Sequence, residues 1–149
     1  MNTIDRSFVP SSELEIRDVA RVAEADLNLA GFPGVSGALV EVLKNAHEHG
    51  NSGDLSKRIS FRTEIDLHFA RVIVEDEGTL VDPSFFNYCG VLGSSSGRIS
   101  EGFYNFAERL SPKGHSGAGV KLSFLAFDEA KYSQNKNGGV RVELTKYKI

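Results

Sequence analysis

The chain has 149 residues, 40% hydrophobic and 25% charged, with a formal net charge of −3. That length supports one domain, residues 1–149, with a substantial core, and the acidic balance argues against broad, sequence-independent nucleic-acid binding. The single cysteine, Cys89, excludes an internal disulfide and a cysteine-based zinc site, and no apolar run reaches signal-peptide or membrane-span length, so a soluble cytoplasmic protein is expected.

In chain order, residues 3–9 read as a short first strand. Ser12 followed by Glu15 has capping-box spacing, and Ile16, Val19, Ala20, Ala23, Leu27 and Ala30 continue a helical stripe that Gly31 ends. Phe32-Pro33-Gly34 turns the chain into a second helix, where Ala38, Leu39, Val42, Leu43 and Ala46 form the apolar stripe. Gly50-Asn51-Ser52-Gly53-Asp54 breaks that helix. Ile59, Phe61 and Ile65 then alternate with polar residues over 57–65, a half-buried strand, and 67–74 reads as its more apolar hairpin partner. From Glu77 the pattern loosens into a lid over about 78–116, marked by Gly90, Gly93, Gly97, Gly102, Gly114 and the run Ser94-Ser95-Ser96. Phe103, Phe106, Ala107 and Leu110 keep helical spacing inside it. Gly117-Ala118-Gly119 is expected to open a third helix running to about Ala130, and Val140, Val142 and Leu144 alternate in a closing strand. The order implies a two-layer α/β (α+β) sandwich, a mixed sheet with helices on one face.

Three polar segments stand out against this frame. Glu41 and Asn45 stack four residues apart beside the buried stripe of the second helix, a carboxylate and an amide suited to a hard cation and to activating a hydroxyl. Asp76 lies just past the end of a buried strand, with Gly78 two residues on. A carboxylate there accepts a hydrogen bond from the exocyclic amine of adenine and repels the carbonyl that guanine presents, while the glycine admits a flat base. Gly117 and Gly119 at a helix start offer bare N–H groups to a phosphate. Each piece alone has a plainer explanation: a turn with a solvated acid for Asp76, a loop for the glycines, a solvated helix face for Glu41 and Asn45. His49 beside Gly50 reads equally well as a helix-terminal histidine with Gly50 as the C-cap. The three together are what point to a nucleotide site.

In order and spacing these segments resemble the asparagine box and the two glycine boxes of the GHKL ATPases (gyrase, heat-shock chaperone, histidine kinase and mismatch-repair ATPases). More narrowly, Glu41-x-x-x-Asn45-Ala46-x-x-His49-Gly50-Asn51 followed by Val74-x-Asp76-x-Gly78 looks like the bacterial anti-sigma-factor serine kinases. The resemblance spans nearly the whole chain. It implies a Bergerat-type ATP-binding fold with a long lid, ATP and Mg²⁺ as ligands, sequestration of a sigma factor, and phosphorylation of a serine or threonine on an anti-anti-sigma (STAS-domain) partner. Neither nucleic acid nor membrane is implied as a direct partner. Relatives are commonly homodimers, although no feature of this sequence fixes the oligomeric state.

Residue by residue, the resemblance implies Asn45 as the Mg²⁺ ligand, Glu41 as general base, Asp76 as acceptor of the adenine amine and Gly78 beneath the ring. Gly117 and Gly119 would cradle the phosphates and anchor the lid. Beside these, Lys121 could reach phosphate, and Arg98, Arg109, Lys113 and His115 are lid candidates for the γ-phosphate. His49 matches a histidine frequent at the end of its box, without an assigned role. The chain departs from the pattern at Leu80, where a second glycine is usual, in the length of the lid and at Lys121. Two alternatives stay open: a nucleotide-gated binding module without phosphoryl transfer, and a histidine-kinase-type ATPase domain. Against the latter, only about ten residues precede the first helix, too few for a dimerisation helix pair.

Overall fold

The computed structural model describes residues 1–35, 37–78, 123 and 125–148. Helix α1 (Glu13–Leu29) starts where its sequence signals place it: the Ser12 hydroxyl accepts the Glu15 N–H at 3.2 Å. The Glu15 carboxylate returns to Ser11, not Ser12, taking its N–H at 3.3 Å and its hydroxyl at 2.9 Å. At the other end Gly31, with φ +91°, closes a Schellman turn, the Gly31 N–H bonding Asn28 O and the Phe32 N–H bonding Leu27 O. Phe32 is thereby driven into the core. Helix α2 (Ala38–Asn45) follows and continues directly into a π-helical turn, Ala46–Gly50.

The sheet holds β1 (Asn2–Asp5), β2 (Ser60–Ile65), β3 (Phe69–Glu75), β4 (Glu129–Gln134) and β5 (Val140–Tyr147) in the order β1-β2-β3-β5-β4. Its inner face presents Phe61, Ala70, Val72, Val74, Val142 and Leu144 to the stripes Ile16, Ala20, Ala23, Leu27 of α1 and Leu39, Val42, Leu43 of α2. This is the expected two-layer sandwich, and the burial holds it together: Phe61→Ala would cost about 3–5 kcal/mol. The outer face carries a charge ladder, Glu64–Arg71–Glu143–Arg141–Glu75, at 3.3 to 4.0 Å between neighbours, which suits contact with water. No helix among the described residues is long and apolar enough to cross a membrane.

Three expectations are corrected. The first strand is shorter than 3–9, although Phe8 still makes a bridge to Ile59. The third helix does not run to Ala130: Ser123, Leu125 and Ala126 are helical, but the chain enters β4 at Glu129. The sheet is antiparallel at every described pairing rather than mixed. The last two have one cause. The unforeseen β4 runs along the sheet edge, and its hairpin sends β5 back beside β3 in the opposite sense. The lid, with Phe103, Phe106, Ala107 and Leu110, lies outside the described residues.

Candidate functional site

Helix α2 begins at Gly37, in the left-handed region with φ +82° and no side chain with which to cap the helix. Glu24 of α1 supplies the cap, accepting the Gly37 N–H at 2.9 Å. Burial pushes the Glu24 carboxyl above its ordinary range, and hydrogen bonds from the Gly37, Val40 and Leu39 backbone pull it back. So anchored, α2 buries Ala38, Leu39, Val42 and Leu43 and leaves Glu41 and Asn45 half-buried on its rim, one turn apart. Glu41 has Lys44 3.9 Å away. No hydrogen bond among the described residues engages the Asn45 amide.

The π-helical turn then changes what the next residues face. The Asn51 N–H closes it on Ala46 O at 2.8 Å, and Ser52 and Gly53 follow at φ +54° and +73°. Asn51, 0% exposed, joins the segments flanking β2 and β3 to this turn: its Oδ1 accepts the Glu77 N–H at 2.7 Å and its Nδ2 donates to Arg58 O at 3.2 Å. His47 turns inward with its Nδ1 unpartnered and its Nε2 3.9 Å from Glu13, whereas His49 is exposed.

Against this turn sits Asp76, 5% exposed. Its Oδ1 accepts two backbone N–H groups, Gly78 at 2.9 Å and Val140 at 3.2 Å. Burial drives its carboxyl pKa upward, opposed by those two hydrogen bonds. No hydrogen bond among the described residues engages Oδ2. Three glycines from separate segments wall the carboxylate. A Cβ on Gly50 would overlap Asp76 Oδ2, one on Gly78 would overlap Gly50 O, and one on Gly139 would overlap Asp76 Oδ1. Gly50 is therefore no C-cap in the left-handed region. The cap position belongs to Asn51, whose φ of −90° is not left-handed, and a side chain is excluded at Gly50 because its backbone touches Asp76.

The structure thus brings Asp76, Gly78 and Gly50 into contact. Glu41 and Asn45 stack on the helix that leads into that contact, and no hydrogen bond or ion pair among the described residues links them to Asp76. Leu80, Arg98, Arg109, Lys113, His115, Gly117, Gly119 and Lys121 lie outside the described residues. Three residues beyond the sequence reading belong to the site: Asn51, Asn135 and Gly139. Asn51 stood within the matched motif without a role. The run Asn135-Lys136-Asn137-Gly138-Gly139 is a hairpin signal that would have revealed both the turn and β4.

The arrangement can accept one hydrogen bond from a planar, amine-bearing group at Oδ2, with glycine backbone on its flanks. Among the described residues no group of three or more His, Cys, Asp or Glu is placed to hold a metal ion.

No protein-family model matches this chain, and no curated protein matches it. Among solved structures it is similar to a mycobacterial sensor histidine kinase, MprB, with a TM-score of 0.49 and 14% sequence identity over 98% of this chain and 97% of that one.

Proposed function

We propose that this chain binds ATP at Asp76 and acts as an anti-sigma serine/threonine kinase, transferring the γ-phosphoryl group to a hydroxyl of a STAS-domain partner and sequestering a sigma factor. The observation that carries the nucleotide reading is the Asp76 carboxylate: Oδ1 is occupied by two backbone N–H groups, Oδ2 has no hydrogen bond among the described residues, and Gly50, Gly78 and Gly139 surround it. That geometry suits the exocyclic amine of adenine and would leave guanine's carbonyl facing a negative oxygen. The motif spacing from Glu41 to Gly78 supports the narrower, kinase part.

In this reading Glu41, half-buried at the start of the second turn of α2, takes the proton of the attacking serine or threonine hydroxyl as its oxygen bonds to the γ-phosphorus and ADP leaves. Asn45, its amide without a hydrogen bond among the described residues, would hold Mg²⁺, which when bound neutralises phosphate charge. Calorimetric titration of ATP, with and without Mg²⁺, into wild type and Asn45→Ala tests the binding part. Mg²⁺-dependent affinity that Asn45→Ala loses is the expected result, and binding indifferent to both metal and variant contradicts it. Glu41→Ala is expected to keep ATP binding and to slow transfer to a STAS partner by about 10²–10⁴. ATP left intact by the wild type with such partners would favour a nucleotide-gated binding module instead.

A further inference from the structure

The turn between β4 and β5 is fitted to Asp76 on two sides. Asn135 uses both ends of its amide: Nδ2 donates to the Asp76 carbonyl at 2.9 Å, while Oδ1 accepts the N–H of Gly139 at 2.9 Å and of Asn137 at 3.0 Å. Its backbone pairs with Gly139 and Gly138 as well, and Gln134 Nε2 adds a bond to Gly138 O at 3.3 Å. The consequence falls on Val140, whose N–H reaches Asp76 Oδ1 at 3.2 Å and whose carbonyl takes the Asp76 N–H at 3.3 Å. Gly139 must be glycine for the same closeness, since a Cβ there would also lie 2.7 Å from Gly78 O.

We infer that Asn135 is a positioning residue for base selection, holding the β4–β5 turn against Asp76 so that Oδ1 stays occupied and Oδ2 alone faces the base. The inference rests on the reading of Asp76 as the adenine acceptor and adds a fourth segment, distant in sequence, to that site. The chemistry calls for an amide. One side chain must donate to a strand carbonyl and accept from its own turn, which a carboxylate or an aliphatic side chain cannot do. Without the Asn135 link, Val140 is held against Asp76 by its own backbone bond alone, its N–H grips Oδ1 less firmly beside that of Gly78, and the one-sided acceptor that tells adenine from guanine is weakened.

The test titrates ATP and GTP into wild type, Asn135→Asp and Asn135→Ala, with a thermal melt of each. Asn135→Asp keeps the acceptor for Gly139 and Asn137 and removes the donor to Asp76. It is expected to weaken ATP roughly tenfold and leave GTP unchanged, so that the preference narrows. Asn135→Ala is expected to narrow it in the same way with a lower melting temperature, and the Asp variant carries the test should the Ala variant fail to fold. Equal weakening of both nucleotides, or of neither, on a wild type that prefers ATP would make Asn135 a structural turn residue only. A wild type that binds the two alike, or binds neither, would remove the reading of Asp76 itself.

Discussion

Two carboxylates, half-buried Glu24 and buried Asp76, sit near opposite ends of the α2 segment, and desolvation pushes both upward in pKa. Glu24 caps the first turn of α2, its Oε1 accepting the Gly37 N–H at 2.9 Å. Asp76 meets its two N–H groups with one oxygen and keeps the other. A raised pKa is common to both acids and does not single out Asp76. The three glycines do, since they leave no room for side chains beside its carboxylate.

The glycine wall offers the sharpest break in that comparison. Gly78→Ala would place a Cβ against the Gly50 carbonyl, a backbone atom that cannot swing aside. A stability loss of about 2–3 kcal/mol is expected, with ATP affinity falling at least tenfold, measured by denaturant unfolding and calorimetry. Unchanged affinity would mean that the wall does not shape the site. Next comes Glu24→Ala, which removes the cap of α2. It should cost about 1–2 kcal/mol in unfolding while ATP affinity changes less than about threefold. A larger affinity loss would erase the contrast between the two acids.

The smallest effect is the pH dependence. The folded pKa of Asp76 lies above its ordinary 3.8, so between that value and the folded one the native state binds the extra proton and stability falls as pH rises. Glu24 acts with the same sign from its ordinary 4.5, so the useful quantity is the difference between wild type and Asp76→Asn. In thermal melts, wild type should lose ground to the variant as pH climbs through the Asp76 window and then hold a constant gap. ATP affinity should move the other way, tightening as pH rises through the folded pKa, because the carboxylate is the accepting form.

What was legible in the sequence was local. Ser12 and Glu15 cap a helix within four residues, Gly31 ends it, and the stripes of α1, α2 and β5 follow their own periods. What was not legible depends on distance or on misleading composition. Glu129 and Ala130 are good helix formers, and an edge strand buries too little to announce itself, so the helix expected to run to about Ala130 takes in the start of β4 and the rest of the strand goes unmarked. No side-chain pattern marks the i→i+5 turn at Ala46–Gly50. Gly50 looks like a cap from its neighbours, and its real constraint is Asp76, 26 residues on in the chain. Asn51 and Asn135 act across 26 and 59 residues. Asp76, Gly78, Glu41 and Asn45 therefore stand out in the sequence as candidates, and the scaffolding around them does not.

The most direct measurement is calorimetric titration of ATP and GTP into wild type and Asp76→Asn at neutral pH. In the variant the amide oxygen would still accept the Gly78 and Val140 N–H groups, turning an NH₂ toward the base, donor against donor. The expected result is a clear preference of wild type for ATP and a loss of at least roughly a hundredfold in ATP affinity in the variant, with its melting temperature maintained. Equal affinities of wild type and variant for ATP would contradict the assignment of Asp76 as the base-recognising acid.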